Sequence, residues 1–207
     1  ARIQENELAI KPENLSHIEA ASVPLAGLTA WQALVTKGNI KQGDKVLIHA
    51  GSGGVGTLAI QIAKHFGATV ATTTSSKNIE LVKGLGADLI IDYTTQSFED
   101  ELSEYDLVFD MIGGDVLTKS FKVLKKGGTL ISIKGQDTEE LAKKYGVNFE
   151  WFFMSPDGAM LTELVTLISQ GTIKTVIDST YPMEQASEAF GKLAEGRTKG
   201  KIVLTIK

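Results

Sequence analysis

The chain has 207 residues, with 21 Lys+Arg against 25 Asp+Glu and a formal net charge of −4. That mild acidity offers no electrostatic hold for nucleic acid or an anionic membrane. There is no cysteine, which excludes disulfides, thiolate catalysis and any metal site built on Cys within these residues.

Hydrophobic residues make up 43%, enough for a substantial core. No apolar run approaches the roughly 18 residues of a membrane span, and no signal-peptide pattern opens the chain. We therefore expect a cytoplasmic protein. It begins at Ala1 rather than Met, as a fragment or processed product would.

Ser16 and Glu19 form a candidate capping box, with Leu15 as its hydrophobic staple, and Pro24 limits that short helix. Leu28, Trp31, Leu34 and Val35 make the apolar face of a second helix, stopped at Gly38. Val46-Leu47-Ile48 is a compact apolar strand. Val55, Leu58, Ala59, Ile62, Ala63 and Phe66 then mark a helix that Gly67 closes. Thr69–Thr74 is a β-branched run and reads as a strand. Ile79, Val82 and Leu85 give a helix ending at Gly86. Leu89-Ile90-Ile91 and Leu107-Val108-Phe109 are buried strands, separated by an amphipathic stretch at Phe98–Leu102. Leu117, Phe121 and Leu124 mark a further helix, stopped by Gly127-Gly128, and Thr129–Ile133 is a strand. A sixth strand is expected at Val147–Met154. The next helix has Ser155 as cap, Pro156 at its first position, and Leu161, Leu164, Val165 and Ile168 on its apolar face.

Short apolar strands alternating with amphipathic helices predict a parallel sheet covered on both faces. The fold class is α/β, a Rossmann-type doubly wound six-stranded sheet. The tail differs: a strand at Val176-Ile177, a helix through Ala186, Ala189, Phe190 and Leu193, and a strand at Ile202–Ile206 have no place in that sheet.

The informative loop is Gly51-Ser52-Gly53-Gly54-Val55-Gly56, directly after a predicted strand and before a predicted helix. That is the context of a dinucleotide fingerprint. One glycine permits the tight turn, a second lets backbone approach a pyrophosphate, and a third lets helix pack on strand. The helix N-terminus offers amides to the phosphates. An NAD site places Asp or Glu at the end of the second strand. Here that strand ends Thr72-Thr73-Thr74-Ser75-Ser76-Lys77, with hydroxyls and a lysine, so NADP(H) is the expected cofactor. Ser75 and Ser76 also suit capping of the next helix. The missing acid weakens an S-adenosylmethionine-binding alternative.

Several segments carry a resemblance: Pro24–Trp31, Gly43-Asp44, Val46–Gly56, Leu85-Gly86-Ala87-Asp88 and Ile91-Asp92-Tyr93. It continues through Phe109-Asp110-x-x-Gly113-Gly114, Lys126-Gly127-Gly128 and Gly196-Arg197-x-x-Gly200-Lys201-Ile202-Val203-Leu204. Together they resemble the medium-chain dehydrogenase/reductase superfamily, and within it the zinc-independent quinone oxidoreductase branch. The resemblance implies that the chain lacks an N-terminal catalytic segment. Residues 1–22 would then lead in from the catalytic domain, 23–171 would form the NADP-binding domain, and 172–207 would return to the catalytic domain.

For the site, the resemblance implies that Ser52, Gly53, Gly54, Val55 and Gly56 hold the pyrophosphate. Ser75 and Lys77 approach the 2′-phosphate. Tyr93 either reaches that phosphate or closes the sheet edge as a half-buried aromatic. Met111 packs at the adenosine half, and Ile133 lies near the nicotinamide ribose. Thr29 is either under the nicotinamide or a structural helix residue. Arg197 either adds charge near the cofactor or is only a solvated turn residue, the second being the stronger reading. His49 reads as packed or hydrogen-bonded, and His17 and His65 as surface residues. Leu25 stands where a zinc-dependent relative places a catalytic-zinc Cys, so no metal is expected. No catalytic side chain is assigned.

The implied activity is hydride transfer from NADPH to a quinone or an α,β-unsaturated carbonyl, with these residues binding cofactor but catalytically incomplete. The alternatives are a non-catalytic NADPH-sensing module or a zinc alcohol dehydrogenase. The apolar Phe149–Met154 run, if an edge strand, suggests a homodimer.

Overall fold

The computed structural model describes residues 2–135 and 138–206. Helix α1 (His17–Ala21) opens with the expected capping box. Glu19 N–H donates to Ser16 Oγ at 3.2 Å, and Ser16 N–H donates to Glu19 Oε2 at 2.9 Å. Helix α2 (Pro24–Trp31) has proline in its first turn, where no partner amide is lost. It runs on as a wider π-type turn over Gln32–Lys37, closed by Gly38 N–H donating to Ala33 O at 2.9 Å.

Strand and helix then alternate: β1 (Lys45–Ile48), α3 (Gly56–His65), β2 (Thr69–Thr74), α4 (Ile79–Gly84), β3 (Leu89–Asp92) and α5 (Phe98–Glu101). They continue with β4 (Tyr105–Asp110), α6 (Gly114–Ser120), β5 (Leu124–Ser132), α7 (Glu139–Tyr145), β6 (Asn148–Trp151) and α8 (Gly158–Ser169). The six strands form one parallel sheet in the order β3-β2-β1-β4-β5-β6. This is the doubly wound order, with its direction reversing between β1 and β4.

Successive side chains of a strand face opposite ways, and β1 shows the consequence. Val46 and Ile48 join a core with Leu34, Ile60, Ile62 and Leu164, while Leu47 joins Val108, Leu117, Phe121 and Leu130 on the other face. Both faces are covered, so the strands need continuous apolar runs rather than alternation. Full burial of a Phe such as Phe109 or Phe121 contributes about 1.5–3 kcal/mol. Helices α2 and α8 cross closely at Gly27, where an added Cβ would lie 2.2 Å from Leu164 Cδ2.

After the sheet come β7 (Ile177–Pro182), α9 (Ala186–Ala194) and β8 (Lys201–Thr205). Strands β7 and β8 pair in parallel as a separate sheet, as their poor fit to the main pattern predicted. This unit touches the cofactor-type sheet at one informative place. Gly200 N–H donates to Ser52 O at 2.8 Å. Gly200 has φ +66, and a Cβ there would lie 2.1 Å from Val176 O, so only glycine fits.

Several boundaries differ from the sequence reading. Asp157 caps α8, its Oδ1 accepting from Met160 N–H at 2.8 Å. The expected cap, Ser155, instead exchanges two backbone hydrogen bonds with the Gln32 amide. Leu124 is the first residue of β5, not part of a helix, and Gly127-Gly128 lie inside that strand. Strand β6 is shorter than expected and β7 longer. Helix α7 was not anticipated, since its apolar stripe is only Leu141, Ala142 and Tyr145 among charges; it ends at Gly146, φ +66.

Candidate functional site at the glycine loop

The loop between β1 and α3 sits at the carboxyl end of the sheet beside the point where strand order reverses, the usual ligand crevice of such sheets. Its glycines have different reasons. A Cβ at Gly51 would lie 2.0 Å from Thr72 Oγ1, and one at Gly56 would lie 2.3 Å from Ala50 O. Internal packing alone demands glycine at both. At Gly53 the only near atom is Ala50 O at 3.3 Å, so packing makes a far weaker demand there. Gly53 faces the cavity, and a side chain there would fill space a ligand could use. No side chain caps the first turn of α3, which follows Val55; the amides of Thr57, Leu58 and Ala59 donate instead to Gly53 O and Val55 O, so backbone closes that turn.

Three consecutive threonines fix this loop from β2. Thr72 Oγ1 donates to Ile48 O at 2.7 Å. Ala50 N–H donates to Thr73 Oγ1 at 3.1 Å, at the residue with φ +52. Thr74 Oγ1 donates to Ser52 Oγ at 3.0 Å. The sequence reading took these residues as β-branched strand formers whose hydroxyls suit a 2′-phosphate, not as braces of the loop.

His49 extends this network. It is fully buried, with Nδ1 3.1 Å from Thr73 Oγ1 and Nε2 2.9 Å from Ser120 Oγ. Ser120 donates to Val116 O at 2.7 Å, so its oxygen accepts from Nε2–H, and Nδ1 accepts the Thr73 hydroxyl proton. The ring is therefore neutral with its proton on Nε2. Burial lowers its pKa to about 4, against smaller opposing effects of Asp110 and Glu99.

The cavity beside the loop has a volume of about 790 Å³. Its walls are the glycine loop, the end of β2 with residues 75–78, Tyr93 and Thr94 after β3, Ile112 and Val116, and residues 196–199. Lys77, Arg197 and Lys199 line it, and among the described residues no carboxylate does. A carboxylate does lie close by: Asp92, from β3, pairs with Thr74 across the sheet. Its oxygens take hydrogen bonds from the Ser76 and Thr94 hydroxyls and the Thr94 amide, which hold its carboxyl below the usual range.

Of the sequence-predicted residues, Ser52, Gly53, Ser75, Lys77 and Tyr93 meet on the cavity wall. Tyr93 is 62% exposed, not half-buried. Gly54 packs against the Lys201 stem, while Val55 packs on the core and Gly56 on Ala50. Met111 and Ile133 pack against the core on the α2–α8 side and Thr29 is buried within it; none of the three lines this cavity. The Thr29 hydroxyl donates to Leu25 O at 2.7 Å. Arg197 is on the wall, the position of its cofactor-side reading, and His49 lines it as well. The sequence reading missed Asn78, Thr198 and Lys199. His17 and His65 are exposed, as expected. Among the described residues, no group of three or more His, Asp or Glu could hold a metal ion, and no helix is long and apolar enough to cross a membrane.

The family described as zinc-binding dehydrogenase matches residues 85–204. The chain belongs to that family, within the medium-chain dehydrogenase/reductase superfamily of oxidoreductases. This dehydrogenase-family chain is 40% identical over 206 residues to the 2-methylene-furan-3-one reductase of Solanum lycopersicum, covering 98% of this chain and 50% of that one. It is 38% identical over 206 residues to the chloroplastic NADPH-dependent alkenal/one oxidoreductase of Arabidopsis thaliana, with coverage of 98% and 50%. Among solved structures, the quinone oxidoreductase from Coxiella burnetii matches with a TM-score of 0.91 and 38% identity, over 95% of this chain and 63% of that one. The chain thus spans about half the length of the curated relatives it matches. The comparisons bear out the resemblance read from the sequence, and the fold bears out the doubly wound sheet.

Proposed function

We propose that this chain is the NADP(H)-binding part of an oxidoreductase that transfers hydride to a quinone or an α,β-unsaturated carbonyl. One observation carries the cofactor assignment: the cavity at the glycine loop holds Lys77, Arg197 and Lys199 on its wall and, among the described residues, no carboxylate. A dinucleotide with a 2′-phosphate gains charge-assisted hydrogen bonds from such a wall. A plain ribose diol lacks the acidic partner it usually finds.

The glycine loop, with Gly53 on the cavity wall, would take the pyrophosphate, and Ser75, Lys77, Tyr93 and Arg197 the 2′-phosphate. Met111 would flank the adenosine half, with Ile133 and Thr29 toward the nicotinamide end. When bound, the reduced nicotinamide supplies the hydride. The protein's part is to hold it in one orientation and keep water out. The reductase names of the relatives from tomato and Arabidopsis, and of the Coxiella structure, support the acceptor class. Leu25, 61% exposed in the first turn of α2, has no lone pair for a metal, which favours a zinc-independent reaction.

Strand β6 ends the sheet, with Trp151 50% and Phe153 83% exposed, so a second copy pairing along that edge is part of the proposal. The domain bounds at 22/23 and 171/172 and the cytoplasmic location are likewise proposals. Cell fractionation decides the location, since one relative is chloroplastic. The chain alone should bind NADPH without turnover, so the activity test offers the longer protein of which it is proposed to be part NADPH with an enone or a quinone, and separately NADP⁺ with a saturated alcohol. Acceptor-dependent loss of NADPH supports the reading. Alcohol oxidation with neither acceptor reduced overturns it.

A further inference from the structure

Ser52 is held from three directions, and the three do different work. The Gly200 amide donates to its carbonyl at 2.8 Å and fixes the backbone. Thr74 Oγ1 and Asn78 Nδ2 each donate to its hydroxyl oxygen at 3.0 Å. A serine oxygen has two lone pairs, and here both are used. Its own proton finds no acceptor among the described residues, and Ser52 lines the cavity.

The two donors are unusual in what they do not do. Thr72 and Thr73 bond backbone groups, Ile48 O and Ala50 N–H, and so shape the loop. Thr74 is equally buried, yet its hydroxyl serves no backbone group. A valine would suit the strand as well without burying a hydroxyl. Asn78 keeps its Oδ1 buried with no partner, a cost that native proteins tolerate only where something else requires it. Both side chains are spent on orienting one serine proton.

We infer that Thr74 and Asn78 are positioning residues that turn the Ser52 hydroxyl into a committed donor, aimed at an anionic oxygen on the 2′ side of the cofactor's adenosine ribose rather than at the pyrophosphate that the resemblance implies for Ser52. The direction follows from place: Ser52 is tied to the end of β2, next to Ser75 and Lys77 on the same wall. A donor whose lone pairs are filled cannot turn to accept from a ribose hydroxyl, so it favours phosphate over a free diol. This inference rests on the NADP(H) reading above.

The test measures dissociation constants for NADPH and NADH, with thermal melting as a control, for wild type, Thr74→Val, Thr74→Ser and Asn78→Leu. We expect Thr74→Val and Asn78→Leu to weaken NADPH by about tenfold, the scale of one charge-assisted hydrogen bond. NADH should hold constant, and Thr74→Ser should restore NADPH affinity. Equal losses for both cofactors, or no loss for either, overturn the positioning role while leaving the cofactor reading intact. If wild type binds neither cofactor, the cofactor reading fails and this inference falls with it.

Discussion

Two places along the sheet's carboxyl edge, one inside the sheet and one at its end, are built on opposite principles. Where β1 meets β2, Thr72, Thr73, Thr74, His49 and Ser120 bury their polar groups and pair them. The network stiffens a loop that faces a cation-lined cavity. Where β6 ends the sheet, Trp151 and Phe153 stand in solvent, and among the described residues no strand pairs the outer edge of β6. Buried, satisfied polar groups hold a geometry that a small ligand can use, whereas exposed apolar side chains at and just beyond an open strand are the surface on which the proposed pairing rests.

The largest expected effect attacks the polar network through pH. His49 is neutral when folded, with a pKa lowered from 6.5 to about 4. Between those values the unfolded chain takes up a proton that the folded chain refuses. Stability is therefore intact above pH 6.5 and falls as pH drops toward 4, by on the order of 3 kcal/mol. Urea unfolding across that range should show the slope in wild type. His49→Gln, which keeps one donor and one acceptor, should flatten it.

The next effect concerns the cavity's charge. Removing both Lys77 and Arg197 side chains to alanine should weaken NADPH by on the order of 100-fold while changing NADH little. Equal losses would mean that neither residue meets the 2′-phosphate. Within the loop, the glycines should separate. Gly56→Ala drives a Cβ against Ala50 O and should cost the fold about 2–3 kcal/mol. Gly53→Ala should leave the melting temperature nearly unchanged and weaken NADPH about tenfold, since the backbone approaches the pyrophosphate there.

At the other end of the comparison, Phe153→Glu should move stability by less than about 0.5 kcal/mol, as exposed substitutions do. It should convert a dimer to a monomer by light scattering. A wild-type protein already monomeric at working concentration would remove the case for pairing along β6.

Much of this was legible in the sequence because local and global signals agree there. Apolar runs of fixed length, glycine stops and the loop's place between strand and helix led directly to the doubly wound sheet. Leu124, read by its helical spacing from Leu117 and Phe121, became a strand because β5 needs it opposite Tyr105. The site was half legible. Ser52, Gly53, Ser75 and Lys77 lie within two adjacent loops, so their convergence follows from β1 and β2 being neighbours. Arg197 and Lys199 come from over a hundred positions later, and contacts such as that of Gly200 with Ser52 bring them to the wall. The threonines were seen but misjudged: periodicity reports that a residue is in a strand, not that its hydroxyl crosses to the next loop.

The central claim is that this cavity is made for a dinucleotide carrying a 2′-phosphate. Titrating the purified protein with NADPH and with NADH, and following the nicotinamide fluorescence, tests it directly. The account predicts NADPH tighter by about tenfold or more, with the difference shrinking as salt rises. NADH binding as tightly as NADPH, or tighter, would contradict it.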